Sequence, residues 1–184
     1  NRMLVVDRIE RAVTQARRNQ RQVAVLLLDL DRFKVINDTL THGSGDMVLI
    51  EVAQRLTRQV RDIDTVARLG GDEFLVVLGD IASESDAALL ADKLLKALAE
   101  PLVAKGHELR ISGSLGIAVA PRDGELAGDL IMQARRLPRL ARPAMQLSPD
   151  NMQRTRATNN SHGGRGTGND TPTNARCHQR ALVG

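Results

Sequence analysis

The chain has no Trp and no Tyr, and its only two Phe are Phe33 and Phe74. Stacking platforms for single-stranded nucleic acid are therefore missing, and the core has to come from Leu, Val, Ile and Ala. Cysteine is almost absent too: Cys177 stands alone, which excludes an intrachain disulfide and a Cys-rich zinc site. No run of roughly 18 apolar residues is present to cross a bilayer, and the start has no signal-peptide pattern. These absences point to a cytoplasmic, reducing compartment. The first residue is Asn1 and not Met, so the chain is expected to be an excerpt, possible fused sensor or effector domains are missing from it, and a membrane-attached sensor with this segment on its cytoplasmic side stays open.

What is present is enough for one domain and an appendage: 184 residues, 42% of them apolar. The formal charge of +4 is unevenly spread, since residues 149–184 hold five Arg against two Asp. The remainder is nearly neutral, without the concentrated basic face of a polyanion groove, so no nucleic-acid partner is expected. The expected organisation is a catalytic domain over residues 1–148 and a basic tail over 149–184. That tail is rich in Asn, Thr, Gly, Arg and Ser and too poor in apolar groups to offset the entropy of ordering, so disorder is expected there.

Periodicity divides the first part. Leu4, Val5, Ile9, Ala12, Val13 and Ala16 recur at helical spacing between Met3 and Arg18. Val23 to Leu28 reads as a central strand ending in Asp29-Leu30-Asp31. A polar loop is expected from Asn37 to Gly45, then a helix carrying Val48, Leu49, Val52, Ala53, Leu56 and Val60, with Asp46 in its first turn. Thr65 to Leu69 and Glu73 to Leu78 read as strands joined through Gly70-Gly71, a pair that tolerates positive φ. A third helix is expected over Asp86 to Ala99, a further strand within Leu109 to Ala120, and a short helix over Ala127 to Arg135, after which Pro138 and Pro143 interrupt the pattern. The fold class is α+β: a ferredoxin-like βαββαβ core with an added N-terminal helix and helices expected on one face of the sheet.

The chemistry concentrates in Gly70-Gly71-Asp72-Glu73-Phe74. Two carboxylates after paired glycines also describe a solvated turn, but Asp29 ends the neighbouring strand, so Asp29 and Asp72 can converge on one sheet edge. Such a group suits Mg²⁺, a hard cation that bridges carboxylates to phosphates, and two close metals activate a hydroxyl for in-line displacement at phosphorus. Lys34 offers a mobile charge for a polyphosphate, and Asn37 and Asp46 offer groups for a base edge.

Taken in order, Asp29 to Thr39, His42-Gly43-Ser44-Gly45-Asp46, and Ala67-Arg68-Leu69-Gly70-Gly71-Asp72-Glu73-Phe74 resemble three successive signatures of the GGDEF diguanylate cyclases. Ser112-Gly113-Ser114-Leu115-Gly116-Ile117-Ala118 with Pro121-Arg122-Asp123-Gly124 is similar to a fourth, and Asn1-Arg2 resembles the end of the family's LTGLPNR segment. The resemblance covers roughly residues 1–134 and implies a core like that of nucleotide cyclase and polymerase palm domains. It implies a cyclase that condenses two GTP into cyclic dimeric GMP and pyrophosphate as a homodimer, with Mg²⁺, or Mn²⁺ in its place. By the same resemblance Asp29, Asp72, Glu73 and the Leu30 carbonyl hold metal, and Glu73 helps activate the ribose 3′ hydroxyl. Phe33 and Lys34 lie by the triphosphate, with packing part of the Phe33 role, and Asn37 and Asp46 bind guanine. Alternation from Asp29 assigns Asp31 to structure more than to metal. His42 reads as a loop hydrogen-bonding residue more readily than as a general base, and Thr41 replaces the family's usual glycine. Arg61 and Asp64 resemble the RxxD inhibitory site for the product.

The resemblance fails near the end. Where the family has an ADxAMYxAKxxGRN-like segment, this chain has Gln133-Ala134-Arg135-Arg136-Leu137-Pro138-Arg139-Leu140-Ala141-Arg142, without the Asp, Tyr and Lys. Arg142 is the residue placed to supply part of the lost charge. Two other readings follow: a degenerate domain that binds GTP or cyclic dimeric GMP and regulates a neighbour, and a dimerisation module whose charges solvate turns.

Overall fold

The computed structural model describes residues 2–39, 44–104, 106–136 and 140–141. The elements run in the order α1 (Arg2–Arg18), β1 (Gln22–Leu30), α2 (Phe33–Thr39), α3 (Ser44–Gln59), β2 (Thr65–Gly70), β3 (Glu73–Ile81), α4 (Glu84–Leu98), β4 (Leu102–Ala104), β5 (His107–Leu109), β6 (Gly113–Ala120), α5 (Ala127–Arg136) and β7 (Leu140–Ala141). The main sheet has the order β2-β3-β1-β6-β7, antiparallel throughout, and β4 and β5 form a separate hairpin. With β1, β2, β3, β6 and the helices α3 and α4, this is the expected βαββαβ arrangement. All of the described residues lie within one unit, Asn1–Gln146.

One expectation is corrected. Helices cover both faces of the sheet, and the reason is legible in β1, where Val23 through Leu28 are all buried instead of alternating. Val23, Val25 and Leu27 form one row with Leu75, Val77, Ala118 and Ala120, closed by Val5, Ile9 and Ala16 of α1 and Ala127, Leu130, Ile131 and Ala134 of α5. Ala24, Leu26, Leu28 and Leu30 point the other way, toward the side packed by α4. Each fully buried Leu or Ile contributes about 1.5–3 kcal/mol.

Two short elements escaped the periodicity. Residues 33–39 form α2 where a polar loop was expected from Asn37: Phe33 and Ile36, three apart, are buried, while Lys34, Val35, Asn37 and Asp38 remain exposed. The β4–β5 hairpin fills the stretch before β6, which begins only at Gly113. Past α5, β7 adds to β6 opposite Ser114 and Leu115. The expectations for Thr41, His42, Pro138, Arg142, Pro143 and the 149–184 tail fall outside the described residues.

Candidate active site

The β2–β3 hairpin closes through Gly70 at φ 147° and Gly71 at φ 55°. A Cβ on either would meet nothing within 4 Å, so the requirement is for the backbone angle and not for space. That turn carries Asp72 to the sheet edge, where its carbonyl accepts the Leu30 N–H at 3.3 Å. In register, Asp29 stands opposite Glu73 on one side and Ser114 on the other. Directly paired residues of an antiparallel ladder place their side chains on the same face. Asp29, Leu30, Asp72 and Glu73 therefore meet at one end of the central strands, and the three acidic residues are each half-buried.

The alternation expected to set Asp31 apart does not hold, because a residue two positions from Asp29 has the same parity; what distinguishes Asp31 is its bonding to two serines. Ser112 donates its hydroxyl to Asp31 Oδ2 at 2.8 Å and Ser114 to Oδ1 at 3.0 Å, while the Asp31 N–H donates to the Ser112 carbonyl at 2.9 Å. Its carboxylate ties β1 to β6. Next, Arg32 adopts φ 55° and turns the chain straight into α2, which starts the nucleotide-side residues immediately beside the carboxylates.

Phe33 is buried, whereas Lys34, Asn37 and Asp46 are exposed. A Cβ built on Gly45 would fall 1.9 Å from Asn37 Oδ1 and 3.3 Å from Phe33 Cζ. The absent side chain at Gly45 thus lets the Asn37 amide rest on the first turn of α3, next to Asp46, with Phe33 beneath. Asn37 and Asp46, nine positions apart in sequence, are neighbours at one helix start.

One site residue escaped sequence reasoning. Arg135 Nη2 donates to Glu73 Oε2 at 2.7 Å, with the two side chains 46% and 27% exposed. Glu73 has the same parity as Leu75 and Val77, so it extends the row that α5 covers. Arg135 lies four residues beyond buried Ile131, on the continuation of the same helix stripe. These two periodicities together were the available signal.

The donor set is hard oxygen throughout. Among the described residues no three His, Cys, Asp or Glu converge into a metal cage. The Asp29–Glu73 pairing, with Asp72 on the adjoining turn, instead fits Mg²⁺, which takes one or two carboxylates, keeps waters and completes its shell from substrate phosphates.

Arg61 and Asp64 lie just ahead of β2, away from this edge. Arg61 donates from Nε and Nη2 to Asp64, both at 3.1 Å, from its backbone N–H to Asp64 at 2.9 Å, and from Nη2 to the Gly79 carbonyl at 2.9 Å. The hydrogen bond to Asp64 pushes the Arg61 pKa up. In the fourth signature, Arg122 likewise holds the Asp123 carboxyl below its usual range, and Asp123 also accepts the Val119 N–H at 2.7 Å. That signature clamps the turn between β6 and α5.

Comparison with known proteins shows the family and the fold. The family model described as diguanylate cyclase, GGDEF domain, matches residues 1–146. The bifunctional diguanylate cyclase/cyclic di-GMP phosphodiesterase MucR of Pseudomonas aeruginosa is 49% identical over 134 residues, covering 73% of this chain and 19% of MucR. Diguanylate cyclase TpbB of the same organism is 41% identical over 135 residues, covering 73% of this chain and 31% of TpbB. The crystal structure of the TpbB GGDEF domain superimposes with a TM-score of 0.73 at 37% identity, covering 78% of this chain and 97% of that one. The chain thus spans less than a third of the length of these two curated relatives. Among the described residues no helix is long and apolar enough to cross a membrane.

Proposed function

The chain belongs to the GGDEF diguanylate cyclase family and to cyclic di-GMP signalling, and from that premise we propose that it condenses two GTP into cyclic dimeric GMP and pyrophosphate. The activity is assigned to residues 1–148, with 149–184 as an appendage. The observation that carries the proposal is the meeting of Asp29, Asp72 and Glu73 at one sheet edge beside the Asn37–Asp46 pair.

Each domain holds one GTP, so two copies must face each other. Asn37 and Asp46 take the guanine edge, Lys34 the triphosphate, and buried Phe33 supports both. Asp29, Asp72, Glu73 and the Leu30 carbonyl hold Mg²⁺, or Mn²⁺ in its place, which when bound acidifies the 3′ hydroxyl and offsets charge at phosphorus. The 3′ oxygen of one GTP bonds to the α-phosphorus of the other as pyrophosphate leaves. Reciprocal attack closes the ring and releases the second pyrophosphate.

The Arg135–Glu73 ion pair and the missing Asp, Tyr and Lys beyond Ala134 favour a second reading, a regulatory domain that binds GTP or cyclic dimeric GMP without turnover. Incubation with GTP and Mg²⁺, with chromatographic detection of product, separates the two. The cyclase reading expects product from the wild type and a loss of at least about a hundredfold in Asp72→Ala, with circular dichroism unchanged because Asp72 occupies a hairpin turn. GTP binding without product supports the regulatory reading. Full turnover in Asp72→Ala removes the metal assignment.

A further inference from the structure

The ion pair between α5 and β3 joins a cation to a carboxylate that the proposed function gives to a metal. Three observations bring Arg135 there. The α5-facing positions of β6 are small, Gly116, Ala118 and Ala120, so the helix can lie close to the strand. At Gly116 the approach is backbone to backbone: a Cβ would fall 1.9 Å from the Ala134 carbonyl oxygen. Gly116 pairs with Leu27, two positions before Asp29 on β1, so this contact fixes the last turn of α5 alongside the acidic edge. Arg135 follows Ala134 directly and reaches Glu73 at 2.7 Å.

Asp29 and Glu73 face each other in register, and two carboxylates so placed repel unless a cation lies between or beside them. We propose that Arg135 is a built-in counter-ion that holds Glu73 while no divalent cation is bound, so that guanidinium and metal compete for one carboxylate. Arg135 is in this sense a positioning residue. It keeps the metal-free edge from splaying, and it makes cation loading dependent on release of the guanidinium from Glu73. Both partners are partly exposed, so the guanidinium can swing into solvent without unpacking the core. The inference rests on the metal assignment above, and the experiment distinguishes the failure of each.

The test is titration of the full chain with Mn²⁺ alone, with free Mn²⁺ followed by its electron paramagnetic resonance signal and no nucleotide present. Arg135→Gln should bind Mn²⁺ about two- to five-fold more tightly than the wild type, the size expected for removing a partly exposed ion pair, and Arg135→Lys should stay near the wild type. In a Glu73→Gln background the same Arg135→Gln change should have no effect, a dependence that a merely structural arginine would not produce. If Glu73→Gln weakens Mn²⁺ but Arg135→Gln leaves it equal or weaker, the counter-ion proposal falls while the metal site stands. If Mn²⁺ binding is absent, or is indifferent to Glu73→Gln, the metal assignment falls and takes the proposal with it.

Discussion

A single missing atom decides much of the proposed base site. Gly45 has no Cβ, and that space is where the Asn37 amide rests. Asn37→Ala and Asp46→Ala are therefore expected to weaken GTP more than ATP, by about 1–3 kcal/mol for each lost hydrogen bond. Competition of each nucleotide against a fluorescent GTP analogue measures this, and equal losses for both nucleotides would return the two residues to a structural role. The motif residues Asp29, Asp72 and Glu73 could be placed from sequence because a strand end and a paired-glycine turn are strong local signals. Arg135 could not, because its role depends on how α5 lies across the sheet, and that is set by Gly116, 19 positions earlier. Parity could not separate Asp31 from Asp29, since the two positions share it; the separation comes from two serine hydroxyls, Ser114 of β6 and Ser112 just before it.

At the level of elements, the α5–β6 contact tolerates no side chain. In Gly116→Ala the new methyl meets a backbone oxygen of a helix, which cannot rotate away, so a loss of about 1–3 kcal/mol is expected from overpacking. Gly128, in the first turn of α5 with nothing within 4 Å of an added Cβ, supplies the contrast. Gly128→Ala should raise stability by up to about 1 kcal/mol through helix propensity. Urea denaturation of both variants checks the pair, and equal midpoints would mean that α5 is not seated on β6. Long elements with a clean period were legible in the sequence: α1, α3, α4 and the two long hairpin strands. The short ones were not. α2 offers only Phe33 and Ile36 as a buried stripe among polar residues, and β4 and β5 are three residues each, too few to set up a period. Two-sided coverage of the sheet was written in the unbroken burial of Val23 to Leu28, but a run of that kind does not say which helices supply the second cover.

On the scale of the whole molecule, the proposed cyclase would work as two facing half-sites, and the place proposed for product to hold them apart is the Arg61–Asp64 pair. β2 is six residues long and begins at Thr65, directly after Asp64, while its far end is the turn before Asp72. At 3.3 Å per residue the pair and the carboxylate edge are about 20 Å apart. Product bound at the pair can therefore cross-link two domains without touching either metal centre. In the free protein the two residues are bonded to each other, and the Asp64 side chain is only 2% exposed against 55% for Arg61. Product must accordingly recruit Arg61 from the outside while Asp64 stays anchored by the Arg61 N–H at 2.9 Å. Arg61→Ala keeps that backbone bond but removes two side-chain bonds from a buried carboxylate, so a stability loss of about 1–3 kcal/mol is expected, leaving a folded protein for binding measurements. Calorimetric titration of cyclic dimeric GMP, with no GTP present, should then give at least about tenfold weaker binding in Arg61→Ala, since a charge-assisted hydrogen bond to phosphate is worth about 1.5–3 kcal/mol. In a turnover assay the same variant should reach higher product concentrations before slowing. Equal affinity in the two proteins would make the pair a surface clamp between the α3–β2 turn and the Gly79 carbonyl, and would move any product control to another face of the domain.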